Sequence, residues 1–178
     1  MNEYAAWVVG VDRPGIVAAV TGALFDRGCN LEDCSMTILS GHFAIMLMVR
    51  APDDVTSEAL EAALRSAGEP LGLTVAVRPV DETPPPAAAG APHIVAVYGA
   101  DRPGIVHRVS RLLADRGVNI TDLTTRVIGG EAQPVYAMHL EVTLPPGLAA
   151  DDLGAALAEV ARELGVDTSI HAVDADVL

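Results

Sequence analysis

Six residues, Asp12-Arg13-Pro14-Gly15-Ile16-Val17, recur unchanged as Asp101-Arg102-Pro103-Gly104-Ile105-Val106. The register holds well beyond them: Gly10 answers to Gly99, Val20 to Val109, Leu24 to Leu113, and Asp26-Arg27-Gly28 to Asp115-Arg116-Gly117. Asn30 and Asp33 answer to Asn119 and Asp122, so the offset stays at 89 positions, the distance from Asp12 to Asp101. Such an offset means that one folding unit was duplicated. A unit of this length is too long for a solenoid repeat and has the size of a small domain. The division expected is a first domain over residues 1–80, a Pro- and Ala-rich linker over 81–92 and a second domain over 93–178.

Each half is small, and a domain of this size buries only roughly 60% of the surface its unfolded chain exposes. Docking of the halves, or of two chains into a homodimer, is therefore expected. Hydrophobic residues make up 51% of the chain but aromatics only 3%, so the cores must be built from aliphatic side chains. The Val-rich runs favour strands. The formal charge is −13, and all 11 basic residues are Arg. A nucleic-acid binder needs clustered positive charge to displace counterions, and no such cluster exists, which argues against direct binding of nucleic acid. Two cysteines make no disulfide framework, and Met1-Asn2-Glu3 lacks the basic start of a secretion signal. No apolar run approaches the roughly 20 residues of a membrane span. A cytoplasmic protein without membrane association is expected.

Residues 4–11 read as a buried first strand. Pro14 suits the first turn of a helix over residues 14–27, with apolar Ile16, Val17, Val20 and Leu24 at helical spacing. Gly15 is read there as permitting close approach of backbone, and Gly28 as the left-handed residue that ends the helix. Residues 29–39 and 42–50, joined at Ser40-Gly41, form a hairpin. A second helix capped by Thr56 or Ser57 runs toward Gly68, and residues 71–78 form the fourth strand. The second half repeats the order with strands over 93–100, 118–128, 135–144 and 166–173 and helices over 103–116 and 150–164. Its loop Gly129-Gly130-Glu131-Ala132-Gln133-Pro134 is longer than its first-half counterpart. Strand, helix, strand, strand, helix, strand is an α+β order. It gives a ferredoxin-like, four-stranded antiparallel sheet with both helices on one face. The bare face and the edges of such a sheet invite pairing with a second copy.

A turn from a strand into a helix presents free backbone N–H groups and the positive end of the helix dipole. A carboxylate there gains about 0.3 to 2 kcal/mol. Asp12 offers a charged acceptor for an ammonium group, and Asn30 carries both a donor and an acceptor, which together describe an amino-acid-shaped site. A plainer reading gives Asp12 and Asp101 as helix caps and Asn30 and Asn119 as turn residues; physics alone does not choose between the two. Cys29 and Cys34, five apart on a predicted strand, point to opposite faces and make a poor ligand pair. His42, His93, His107, His139 and His171 show no ligand spacing, and His107 in the first turn of its helix reads chiefly as a surface residue. Asp151, Asp152, Glu159 and Glu163 read as a helix cap and a solvated face. No nucleophile and base stand in a supporting context, and no cofactor site is expected.

The repeated motif, followed at helix length by Gly28-Cys29-Asn30-Leu31 and by Gly117-Val118-Asn119-Ile120, resembles the ACT domain, the small-molecule-sensing module of amino-acid metabolism. Two tandem units, with Cys29-Asn30-Leu31-Glu32-Asp33 in the first, are similar to the glycine cleavage system transcriptional repressor group. The resemblance implies that units pair side by side into an eight-stranded sheet. It also implies that amino acids bind between the turn after the first strand of one unit and the second-strand region of its neighbour. Carried over by position, the amino-acid-binding residues are Asp12, Arg13, Pro14, Gly15, Ile16, Asn30 and Leu31. The second set is Asp101, Arg102, Pro103, Gly104, Ile105, Asn119 and Ile120. Serine-sensing relatives carry a His at the positions of Gly10 and Gly99, where glycine leaves either fewer contacts or an empty space. The function implied is non-enzymatic: binding of a small amino acid, glycine or serine favoured, with the signal passed to a protein partner. Alternatives are a purely structural interaction module with vestigial sites, and an enzyme akin to the formyltetrahydrofolate deformylases, for which a catalytic domain is missing here.

Overall fold

A computed structural model describes residues 1–80, 90–129 and 134–173 of the chain. The chain divides into two units, Met1–Pro84 and Pro85–Leu178. In the first, β1 (Asn2–Val11), α1 (Ile16–Phe25), β2 (Asn30–Leu39), β3 (His42–Ala51), α2 (Ser57–Gly68) and β4 (Thr74–Pro79) follow one another. The second has β5 (Ala91–Gly99), α3 (Ile105–Asp115), β6 (Asn119–Ile128), β7 (Val135–Leu144), α4 (Ala150–Leu164) and β8 (Val166–Ala172). Each unit carries its own antiparallel four-stranded sheet, ordered β2-β3-β1-β4 and β6-β7-β5-β8. This is the ferredoxin-like arrangement that the element order dictates.

Alternation along β1 and β3 decides which face is covered. Tyr4, Ala6 and Val8 of β1 and Phe43, Ile45, Leu47 and Val49 of β3 are buried under the helices. The apolar stripe of α1 (Ile16, Val20, Leu24) and Leu60 and Leu64 of α2 close that core. Each fully buried aliphatic side chain contributes about 1.5 to 3 kcal/mol. Inside it, the Tyr4 hydroxyl donates to the Val55 carbonyl at 2.8 Å, so its one polar atom is satisfied. The second core repeats the plan with Ile105, Val109, Leu113, Leu140, Leu153 and Leu157. His93 is buried at its margin, with Nδ1 3.0 Å from the Ala91 carbonyl oxygen.

Several local expectations are corrected. The two motif helices begin at Ile16 and Ile105, not at Pro14 and Pro103, because Gly15 and Gly104 stand just before them at φ 96°. Those glycines answer to backbone conformation, since a β-carbon on either would meet open space, and close approach is not their role. Leu71 belongs to a 3₁₀ turn, Glu69–Leu71, and left-handed Gly72 delays β4 to Thr74. β5 starts at Ala91, so Pro92, expected in the linker, sits near the start of a strand, where proline is tolerated. Residues 81–89 of the expected linker and residues 130–133 of the loop from Gly129 to Pro134 lie outside the described residues. Ser40 (φ 50°) and Gly41 (φ 78°) form the hairpin turn, both left-handed as a two-residue hairpin requires. Both second strands carry an irregularity at matching places, between Leu31 and Asp33 and between Ile120 and Asp122. That extra residue reverses the side-chain parity after it. Cys34 therefore stands opposite Leu47 on the helix-bearing side, the side on which Cys29 also packs, and not on the opposite face.

Candidate functional site

β1 delivers the chain at Asp12 to a turn that α1 leaves at Ile16. The Asp12 N–H donates to the Gly41 carbonyl at 2.9 Å, which ties this turn to the tip of the β2–β3 hairpin. The first backbone bond of α1 runs from the Ala19 N–H to the Gly15 carbonyl, and in α3 from the Arg108 N–H to the Gly104 carbonyl, each at 2.9 Å. The N–H groups of Ile16, Val17 and Ala18 are thus left without a protein acceptor among the described residues, as are those of Ile105, Val106 and His107. Neither helix has a capping side chain or an acidic residue in its first turn. The expectation that Asp12 and Asp101 cap these helices is not met. By contrast α2 is capped by Thr56, whose hydroxyl accepts from the Ala59 N–H at 3.2 Å, and α4 has Asp151 and Asp152 in its first turn.

Asp12, Arg13, Pro14 and Gly15 are exposed and Ile16 is buried, and the second copy repeats this from Asp101 to Ile105. Asn30 and Asn119 are exposed first residues of β2 and β6; Leu31 and Ile120 pack against the cores. Within one unit these parts do not come together. Asn30 pairs with Arg50, which pairs with Glu3 at the start of β1, whereas Asp12 follows the far end of β1. About eight residues of strand, roughly 26 Å, separate the two along the sheet. The same holds for Asn119, whose row runs through Thr143 to Pro92.

The copies also differ. The Arg102 guanidinium donates through Nη1 to the Leu164 carbonyl at 3.2 Å, at the C-terminal end of α4. Arg13 makes no hydrogen bond or ion pair among the described residues. Gly10 and Gly99 are not beside empty space: a β-carbon on Gly10 would stand 2.6 Å from Leu73 Cδ2, and one on Gly99 2.7 Å from Val166 Cγ1. Leu73, just before β4, and Val166, the first residue of β8, fill the place where a side chain would begin. Gly41 is expected from the sequence only as part of the Ser40-Gly41 turn; that its carbonyl holds the Asp12 N–H has no signal in the sequence beyond that turn. Burial pushes the Cys29 thiol up, partly offset by the Arg27 charge, which makes it inert packing. Among the described residues no group of three or more His, Cys, Asp or Glu side chains could hold a metal, and no helix is long and apolar enough to cross a membrane.

One ACT domain family model matches residues 6–78 and a second ACT domain model matches residues 93–164. The chain belongs to the ACT domain family. As a tandem ACT chain it is 29% identical over 170 residues to the glycine cleavage system transcriptional repressor of Escherichia coli, covering 93% of this chain and 87% of that one. It is 31% identical over 168 residues to phosphoserine phosphatase SerB2 of Mycobacterium tuberculosis, but spans 39% of that enzyme. A crystal structure of an unknown protein from Galdieria sulphuraria superposes with a TM-score of 0.81 at 29% identity, over 97% of this chain and 99% of the other.

Proposed function

We propose that this ACT chain is a non-enzymatic regulator that binds a small amino acid, glycine or serine, and passes its occupancy to a protein partner in amino-acid metabolism or its transcriptional control. The observation that carries the reading is the repeated helix start: glycine-initiated, uncapped and free of acidic residues at both α1 and α3. Three unpaired N–H groups beside an exposed carboxylate suit the carboxylate and ammonium ends of one ligand.

Pairing of units completes the site. β2 and β6 are ten-residue edge strands with exposed apolar side chains, Met36, Ile38 and Leu39 in one and Leu123, Val127 and Ile128 in the other. An edge of that kind is a template for another strand. On the other side, β4 is six residues long, and its Val77 N–H already donates to Glu61 Oε2 at 3.3 Å. Antiparallel pairing through β2-type edges makes an eight-stranded sheet and brings Asn30 or Asn119 of one unit to the sheet end that holds the Asp12 or Asp101 turn of its neighbour. With no imidazole at Gly10 or Gly99 to meet a hydroxyl, glycine is accommodated as well as serine. Charge-assisted hydrogen bonds contribute about 1.5 to 3 kcal/mol each, much of it offset by immobilising the ligand, so affinity falls on the order of micromolar to millimolar. A charge of −13 with no Lys favours a protein partner over direct contact with nucleic acid.

Calorimetric titration of the full chain with glycine and L-serine, beside Asp12→Ala, Asp101→Ala and the double substitution, tests this. Each single variant loses one class of sites and the double variant loses all heat. Because neither carboxylate caps a helix, folding stability stays close to that of the parent. Unchanged binding in the double variant contradicts the proposed site and places the ligand elsewhere, whereas no heat from the parent chain leaves a structural interaction module.

A further inference from the structure

We infer that the helix-free face of the first unit's sheet is an interface that packs against the same face of a second copy of this chain. The register places the outward residues in rows. Asp33, Met48, Ala5 and Arg78 lie side by side across β2, β3, β1 and β4; the next row is Ser35, Met46, Trp7 and Ala76, and the next Thr37, Ala44, Val9 and Thr74. The centre of the face is uncharged and uncovered: Met46 is 47% and Val9 44% exposed, and the Trp7 indole N–H lies 3.1 Å from the Met46 sulfur. Opposite charges stand at the two edges of one row, Asp33 on β2 and Arg78 on β4.

That pattern is self-complementary. A two-fold axis lying between β3 and β1, parallel to the strands, sets β2 of one copy over β4 of the other and leaves the rows aligned. Asp33 of each copy then meets Arg78 of the other, on both rims. In the middle Met48 lies over Ala5, Met46 over Trp7 and Ala44 over Val9, so a long side chain meets a small or flat one at every step. Aligned sheets pack about 10 Å apart and within about 30°, which edge side chains as long as Arg accommodate.

The second unit does not offer this surface. His139, Glu141 and Ala96 occupy the places of Met46, Met48 and Trp7 in its sheet. A face with a central carboxylate is a poor match for an uncharged one, because that charge would be buried unpaired. The occupant that fits is therefore another first unit. From strand spacing and row repeat the face covers on the order of 500 Å² per copy, about 1,000 Å² for the pair. That is at the lower end for a specific interface, so the association is reversible, with a dissociation constant on the order of micromolar.

Trp7 is the one tryptophan of the chain and reports on the face directly. Sedimentation velocity and Trp7 emission of the full chain, from about 1 µM to about 1 mM, should show a self-association that shifts the emission to shorter wavelength. Met46→Asp weakens it at least about tenfold, a loss of about 1.4 kcal/mol. Asp33→Arg and Arg78→Asp each weaken it, and the two together restore it. Met46, Asp33 and Arg78 are exposed, so these variants fold, which far-UV circular dichroism verifies. A chain that stays monomeric overturns the inference. So does a dimer indifferent to Met46→Asp, which would be held by the β2 edges, and so does failure of the double charge exchange to restore what each single exchange removes.

Discussion

Gly99 and Val166 stand so close that a β-carbon at position 99 would lie 2.7 Å from Val166 Cγ1 and 3.0 Å from its Cα. The obstacle includes backbone, which cannot swing aside. Gly99→Ala should therefore cost about 1 to 3 kcal/mol, the usual penalty of overpacking. At Gly10 the nearest atom is the flexible end of Leu73, so Gly10→Ala costs less. Denaturant unfolding of the two variants should rank them in that order.

Gly15 and Gly104 obey a different constraint. Each stands at φ 96° with open space around the position of a β-carbon. Alanine there costs about 1 to 2 kcal/mol through the backbone alone. It also disturbs the free N–H groups of the following turn, so amino-acid affinity falls beside stability. Substituting Gly15 and Gly104 separately, with melting and titration on each, shows both effects. Loss of stability with intact binding would place the ligand elsewhere.

The repeated arginines should part company. Arg102 donates to the last carbonyl of α4, whereas Arg13 makes no such bond among the described residues. Its charge also complements the negative end of that helix. Arg102→Ala should lower stability by about 1 kcal/mol and Arg13→Ala by close to nothing. Equal losses in chemical unfolding would refute the distinction.

Much of this architecture is legible in the amino-acid sequence. The offset that carries Asp12 to Asp101 gave two units, and the spacing of Ile16, Val20 and Leu24 gave the helix that covers each sheet. What stayed hidden depends on neighbours distant in sequence. The filling of Gly10 by Leu73 and of Gly99 by Val166 arises from strand pairing, and nothing near residue 10 announces it. The extra residue around Glu32 and Thr121 leaves no compositional mark, yet it moves Cys34 to the other face. The residues by themselves suggest one amino-acid-shaped site and the family resemblance implies a site shared between neighbouring units; strand order and register add the reason, since Asp12 and Asn30 lie at opposite ends of one sheet.

Glu58, exposed and screened by solvent, should add a small acid-sensitive increment to the stability of the first unit. Its carboxylate is held below the ordinary glutamate range by its own backbone N–H, then by the Thr56 and Ser57 hydroxyls. A lowered folded-state value means that the contribution is complete above the unfolded value of about 4.3 and disappears as pH falls through the lower folded value. Glu58→Gln should be less stable than the parent near neutrality, with the gap closing on acidification. Unfolding free energies measured from pH 6 down to pH 3, in the manner of about half-unit steps, follow that closure.

Whether the folded chain holds a small amino acid is decided by a thermal-shift series with glycine and L-serine, with D-serine as control. A ligand that binds the folded state stabilises it by about 2.7 kcal/mol at one hundred times its dissociation constant. A saturable rise in melting temperature is expected with glycine or L-serine and none with D-serine, and the rise is lost when Asp12 and Asp101 are both replaced by Ala. A melting temperature that does not move at millimolar amino acid would contradict the proposal.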